Sequence, residues 1–342
     1  MDDNTKCNPI VFFTFKDSVN RNYLSFQNQG TNEILFYSID SEQFLFRIIP
    51  NIEGPEGVGM FLGYSIYDLD NIYLTIPGKS EIVLIDREAK IKDRISYAKT
   101  TDGFDLFPFT AISFNYKPVF RIDDELFIIS ECNRMSENNV VSAKVDLKTK
   151  DIYAYPFQYP HFPCFEDKSK AYSIETEFSR CYNNRQFIYS FFYDENIHVV
   201  SMDDNSVQTL LVKSKYIDGI EMPKENGDFQ LMLKSLCEKP TYGNLYYDPY
   251  REVYYRIAYP PAEIDKNENY EQIWRYGRKL FSIIILDKNF EIIGETLMPE
   301  YTYNSKILFI NEEGLYICEN HYKNPKFDED ILSFQCFELS KK

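Results

Sequence analysis

The sequence predicts an all-β fold: a six-bladed β-propeller of four-stranded antiparallel blades, with seven blades as the alternative count. Three observations carry this expectation. Apolar runs of roughly five to eight residues, rich in Tyr, Phe, Ile and Val, recur from one end of the chain to the other. Asp, Asn and Gly stand between them, the residues that turn a backbone tightly. The runs return in six groups of about four, with one recurring order: apolar strand, short polar turn, a strand ending in Asp, a short turn, a fourth strand. A β-sandwich gives no reason for that repetition.

The first group opens with "IVFFTFK" and runs through "YLSFQN", "EILFYSID" and "QFLFRII". The second is "GYSIYD", "NIYLTI", "EIVLID" and "IKDRIS". The third is "KPVFRID", "ELFIISE", "VVSAKVD" and "DIYAYPF". The fourth is "ETEFSRC", "QFIYSFF", "NIHVVSM" and "SVQTLLV", and the fifth "YGNLYYD", "EVYYRIAY", "LFSIIILD" and "FEIIGET". The sixth, "SKILFI", "GLYICEN" and "LSFQCFEL", is one strand short. Either the N-terminal segment supplies that strand or it was removed with a leader. The expectation is one domain over residues 1–342, with blades at approximately 10–49, 62–96, 115–157, 175–213, 242–297 and 304–339. Long helices are nearly absent. Residues 227–238, "GDFQLMLKSLCE", have Phe229, Met232 and Leu236 spaced for one helical face, and a short helix is expected to plug a gap between blades.

The Gly-rich stretch "IEGPEGVG" at 52–59 raises the question of a phosphate cradle. A P-loop needs GxxxxGK[ST] opening a helix. Here no Lys and no helix follow, and Glu53 and Glu56 would repel an anion. The dinucleotide spacing is reversed, GxxGxG for GxGxxG. The stretch is therefore read as a corner between the last strand of one blade and the first of the next, with Gly supplying positive φ and Pro55 stiffening the bend. "GPEGVG", followed by "GYSIYDLDNIYL", "IVLIDREAKI", "YYDPYREVYYRIAYPP" and "SIIILDKNFEIIGET", resembles the Bacteroidetes domain-of-unknown-function family 4221. The likeness covers nearly the whole chain. It implies a six-bladed propeller, usually carrying a lipoprotein leader that tethers it to the cell envelope, and it carries over no catalytic residue. "MDDNTKCNPI" holds neither leader nor lipobox, and only polar residues precede Cys7.

Composition narrows the function classes. The 342 residues are 44% hydrophobic and 17% aromatic, with a single Trp, which is material for a large packed core. Asp plus Glu number 53 against 37 Lys plus Arg, a net charge of −16 that disfavours nucleic acid and anionic membrane surfaces as partners. No stretch approaches the roughly 20 apolar residues of a membrane helix. The seven cysteines contain no CxxC and are read as buried small apolar residues. No GxSxG or HExxH is present, His161 and Cys164 lack a second ligand pair, and "DLDN" at 68–71 and "DDNS" at 203–206 lack the Gly and Glu of a calcium loop. No cofactor or metal is expected.

Within a four-stranded meander, the second-to-third turns and the crossings between blades share one face. All the long connections fall there, at roughly 97–113, 132–138, 157–175, 213–241, 260–278 and 321–330, which marks it as the working face. It carries Trp274, Tyr276 and Arg278 in "QIWRYGRK", His161 in "FQYPHFP" and Phe107 in "DLFPF". Aromatics beside Arg suit a sugar or a peptide. Arg121, Arg180 and Arg256 lie on or beside first strands, where they either hold an anionic ligand in the channel or pair with the neighbouring blade. Glu53, Glu56, Asp102 and Asp105 are the carboxylates that a glycosidase-like pair could draw on.

The leading expectation is a non-enzymatic binding or scaffold propeller of the cell envelope, engaging a glycan, peptide or partner protein through its loop-rich face. The alternative is a hydrolase or lyase with acidic and Arg residues at the channel mouth; a purely structural assembly subunit is a third reading. Membrane contact would come only through a lipid anchor. Replacing Trp274 or Tyr276 with Ala is expected to spare the fold.

Overall fold

The computed structural model describes residues 9–28, 30–76, 78–103, 106, 112–133, 139–166, 174–222 and 229–340. The chain divides into two compact units, one of Pro9–Ser173 and one containing Ile174–Lys342. The first unit holds three four-stranded antiparallel sheets. These are β1 (Phe12–Lys16), β2 (Asn22–Asn28), β3 (Glu33–Ser38) and β4 (Phe44–Ile48); β5 (Tyr64–Asp68), β6 (Asn71–Ile76), β7 (Glu81–Ile85) and β8 (Ile91–Ser96); and β9 (Phe120–Ile122), β10 (Glu125–Ile129), β11 (Val140–Asp146) and β12 (Ile152–Gln158). The second unit holds β13 (Phe178–Asn183), β14 (Gln186–Phe191), β15 (Asn196–Ser201) and β16 (Val207–Leu211); β17 (Thr241–Asp248), β18 (Val253–Tyr259), β19 (Ser282–Leu286) and β20 (Ile292–Leu297); and a three-stranded sheet of β21 (Asn304–Ile310), β22 (Leu315–Cys318) and β23 (Phe334–Phe337). Each sheet is a meander in chain order, and the fold is a six-bladed β-propeller.

Burial explains why the strands read as they do. A blade's second strand is covered on both faces, so Ile72–Ile76 in β6 and Val253–Tyr259 in β18 are buried throughout. The fourth strands are edges and alternate or turn outward: β8 reads "IKDRIS" with only Ile95 buried, and β16 exposes Val207 and Leu211. Apolar cores therefore lie at the seams. In the first unit one core joins Phe36 and Ile48 to Tyr64 and Leu74, and another joins Tyr73 and Ile82 to Ile128 and Val145. In the second unit, Ile188 and Val199 meet Tyr242 and Tyr254, and Tyr255 and Ile257 meet Leu308 and Ile317.

The Asp residues that end strands make turns. Asp86 Oδ1 accepts from Glu88 N and Lys90 N, and Asp287 Oδ1 accepts from Asn289 N and Glu291 N. "DLDN" and "DDNS" do the same: Asp68 Oδ1 accepts Asp70 N at 2.8 Å and Asp204 Oδ1 accepts Ser206 N at 3.0 Å. Such N–H donors favour the charged carboxylate, and those of Thr149 and Lys148 hold the Asp146 carboxyl below its ordinary value.

Residues 52–59 form the expected corner. Gly54 and Gly59 have φ of 89° and 85°, a region that side chains with a Cβ rarely enter. The backbone bonds itself, Gly57 N to Gly54 O at 2.9 Å and Gly59 N to Ile52 O at 3.1 Å, so these amides are not offered to a phosphate.

Seams are fastened by side chains more than by backbone. Gln27 joins the first two blades, its Nε2 donating to Phe61 O at 2.7 Å and its Oε1 accepting Gly63 N at 2.9 Å. Ser65 Oγ donates to Val119 O at 2.7 Å between the second and third. Between the fourth and fifth, Ser179 Oγ accepts Leu245 N at 2.9 Å. Arg256 on β18 is the strongest fastener. Its Nε donates to Ser190 Oγ, and its terminal nitrogens donate to the carbonyls of Glu195, Val212, Asp194 and Asn196, all at 2.6–3.2 Å. Its guanidinium also lies 3.7 Å from the centroid of the Tyr242 ring.

Arg256 is thus the inter-blade pair that the sequence left open, and it has no N–H left for a ligand. Removing it strands buried acceptors. Arg256→Met is expected to lower stability by on the order of 3 kcal/mol, read from urea unfolding midpoints, and Arg256→Lys to recover at most part of that, because one ammonium cannot reach five acceptors.

Candidate functional site

The loop-rich side of the second unit carries a small structure of its own. Helix α1 (Phe229–Glu238) and helix α2 (Tyr270–Tyr276) pack around Cys237, Ile264 and Ile273, with Tyr270 and Tyr322 against them. The α1 periodicity was legible, but the buried face is Leu233 and Cys237, while Phe229 is exposed. The helix packs on α2, where a plug between blades had been expected. The stretch "QIWRYG", read as loop, is α2 itself. Asn269 caps its start by accepting from Glu271 N and Gln272 N, and Arg275 pairs with Glu271 one turn back at 3.1 Å.

Three contacts pin α2 to what lies beneath it. Tyr270 Oη donates to Glu238 Oε1 at 3.0 Å, tying α2 to α1. His321 Nε2 donates to Gly277 O at 3.1 Å, just past the helix end, and its Nδ1 accepts Lys323 N, which fixes the neutral tautomer. Lys306, on β21, donates to Trp274 O. The Lys306 Nζ also sits 4.1 Å from the Trp274 ring centroid.

The result is a half-open aromatic surface over a buried guanidinium and a half-buried ammonium. Trp274 is 45% exposed. Arg278 is buried; its terminal nitrogens donate to Thr241 Oγ1 at 3.0 Å and Lys239 O at 2.6 Å, and Nε has no acceptor. Its Cζ lies 4.8 Å from the Tyr259 ring centroid, and Tyr259 Oη bonds Ser305 Oγ at 2.8 Å, beside Lys306. Burial, reinforced by the Arg278 charge, pulls the Lys306 ammonium down to about 8. Burial likewise lowers Arg278 and pushes the Cys237 thiol up to about 11.

The anticipated site residues separate. Trp274, Tyr276, Arg278, Arg180 and Arg256 belong to the second unit; His161 and Arg121 belong to the first, and Phe107 and Asp105 lie outside the described residues. Of these, Trp274 and Arg278 are the two that neighbour Lys306. The Tyr276 ring is taken up in packing, 5.9 Å from Tyr322 and 5.7 Å from Phe327 between centroids, which corrects its expected neutrality to folding. Arg180 is 1% exposed, inside the blade with its Cζ 5.2 Å from the Phe187 ring. Arg121 sits at the short-turn end of β9, its Cζ 4.3 Å from the ring centroid of Tyr67 on the neighbouring blade. His161 is an exposed residue facing Glu166 at 3.4 Å, whereas Cys164 is buried.

Of the carboxylates, Glu53 and Glu56 stand exposed on the corner, and Asp102 Oδ2 accepts Ala154 N at 3.1 Å. Among the described residues, no group of three His, Cys, Asp or Glu is placed to hold a metal. His198 links Asp194 and Thr209 at 3.0 and 3.1 Å, bracing β15 against β16 and the turn before it. The sequence reading missed Lys306. A lysine inside the apolar strand "SKILFI" was the available signal, since a cation in a first strand needs a partner.

Residues 2–297 match the family model described as a domain of unknown function, DUF4221, and the chain belongs to that family. A crystal structure of a DUF4221 member from Bacteroides vulgatus superposes with a TM-score of 0.85 at 28% identity, over 99% of this chain and 94% of that one. A Bacteroides fragilis protein named as exported shares the fold, with a TM-score of 0.54 at 11% identity over 94% and 82% of the two chains. No curated protein matches the sequence.

His321 has a pH consequence. Burial pushes its imidazole down to about 4, so the folded chain resists the proton that the unfolded chain takes up near pH 6.5. Stability from this group is complete above about pH 6.5 and drains away as pH falls toward 4. At pH 4.5 the loss relative to pH 7 should be on the order of 2 kcal/mol more in the wild type than in His321→Gln, measured by urea midpoints. Tyr276→Ala should cost about 1–2 kcal/mol in the same assay, through lost ring packing.

Proposed function

We propose that this protein is a non-catalytic binding propeller whose working surface is the α1–α2 cap around Trp274. The observation that supports it most is the state of Trp274. A large aromatic ring stands 45% exposed while its backbone carbonyl and one ring face are fixed by Lys306. An exposed ring on a helix seven residues long would ordinarily be mobile. Here α2 is held by His321, Lys306 and Tyr270, so the ring is already in place before a ligand arrives. Aromatic anchors of this kind carry a large share of binding energy at recognition surfaces.

A glycan or a peptide fits such a platform. The hydrolase or lyase reading would need two carboxylates facing one another across a cleft, and the described acidic candidates do other work: Asp102 caps a strand amide, and Glu53 and Glu56 ride on a turn. An envelope location accompanies the reading, as the family resemblance implies, with any membrane contact made through a lipid anchor.

The test is a thermal-shift screen of glycans and peptides on the wild type and Trp274→Ala. A ligand at about 100 times its dissociation constant should raise stability by roughly 2.7 kcal/mol in the wild type. The variant should melt near the wild-type temperature without ligand and show no shift with it. A ligand that stabilises both equally would place the working surface elsewhere.

A further inference from the structure

Several basic side chains in the second unit have acidic partners close by. Arg251 pairs with Asp248 at 3.0 Å, Arg185 with Asp203 at 2.6 Å, Lys213 with Glu195 at 3.1 Å, and Lys323 with Glu268. That is the expectation for a chain with 53 acids to 37 bases. Arg256 is an exception whose five N–H groups are all matched by neutral acceptors, and Arg278 and Lys306 are exceptions whose N–H groups are not all matched. The acceptors of Arg278 and Lys306 are Thr241 Oγ1, Lys239 O and Trp274 O, all neutral, and among the described residues no carboxylate lies within ion-pair distance of either. A buried guanidinium and a half-buried ammonium thus stand near one another with no counter-charge among the described residues, although carboxylates are plentiful. Such an arrangement is costly to folding. An anion supplied from outside would relieve it.

We propose, building on the reading of Trp274 as a binding surface, that this surface takes an acidic sugar. Its carboxylate meets the Lys306 ammonium, and its ring lies against the indole. Lys306 spends one N–H on Trp274 O and keeps two for an acceptor. Because Nζ is 4.1 Å from the ring centroid, an oxygen bound to it is already beside the indole, so the charged group and the body it is attached to are read together. Arg278 lies behind, buried, and adds its charge without direct contact. A free phosphate would use the cations but leave the ring unused. A peptide adding itself as a strand would need open backbone groups, whereas the carbonyls of Trp274 and Gly277 are occupied by Lys306 and His321. The cleft lined by Arg21, Arg47 and Arg87 in the first unit offers no rival site, since these residues pair with Asp17, Glu33 and Asp70.

Trp274 is the single tryptophan of the chain, so its emission reports this surface directly. The experiment titrates the full chain with trigalacturonate and with the same trisaccharide methyl-esterified, which removes the charge and keeps the rings. Trigalacturonate should change the emission saturably, and the ester should bind at least about tenfold more weakly, as expected for a lost charge-assisted contact. Lys306→Gln should abolish the preference for the acid over the ester, while Lys306→Arg should retain that preference. Equal binding of acid and ester would overturn the proposal and leave Trp274 standing as a neutral aromatic platform. Displacement of the trisaccharide by equimolar inorganic phosphate would overturn it in favour of a phosphate site. No response to either sugar would overturn it too. If a peptide from the Trp274→Ala screen then bound, the platform would remain; a screen hit insensitive to Trp274 would remove both readings. The ester comparison needs only wild-type protein, so it decides even if Lys306→Gln folds poorly.

Discussion

Each blade's strand ladder closes within the blade, and the rest of the structure depends on how the seams between blades are closed without such a ladder. Hydrophobic faces supply most of that closure, but apolar contact alone does not fix one sheet's register on the next. Buried polar side chains do so here. Gln27, Ser65, Ser179 and Arg256 each reach across a seam to a backbone group, and each fits only one alignment. Arg256 does this at the greatest desolvation cost and with the fullest compensation, five N–H groups against five acceptors. That economy separates it from Arg278, which is equally buried but left with an unmatched Nε and no anion.

The contrast between these two arginines organises the functional argument. One is a structural cation whose charge is dispersed over carbonyls. The other, with Lys306, is a charge held in reserve beneath a helix that presents an aromatic ring. The cap keeps that arrangement in place. Its small apolar centre of Cys237, Ile264 and Ile273 is supplemented by directional bonds from Tyr270, His321 and Lys306. A buried neutral histidine and a half-buried lysine with a lowered pKa are what such a cap costs.

Much of the fold was legible because its signals are local. Period-two alternation and Asp-centred turns placed "VVSAKVD" and "IKDRIS" on β11 and β8 to the residue, and the Gly-rich corner was read from the absence of Lys and helix after it. The site was less legible because its signals are not local. Trp274 and Arg278 could be named from their loop, but nothing in "SKILFI" shows that Lys306 lies under Trp274, thirty-two residues back. The engagement of Tyr276 and Arg256 was hidden for the same reason. Their types suit binding, and only the three-dimensional neighbours, Phe327 and Tyr322 for one and the turn after β14 for the other, show that their groups are spent. Helix α2 was missed because seven residues are too few for a periodic signal, and the Asn269 cap was the only clue.

The central claim is that Trp274 stands in a local positive field on a chain whose net charge is −16. Quenching of its emission by iodide and by caesium at matched ionic strength measures that field at the ring itself. The account predicts that iodide quenches Trp274 more efficiently than caesium, and that the difference falls as added salt screens the charges. Stronger quenching by caesium, as the net charge of the chain would produce on its own, would contradict it.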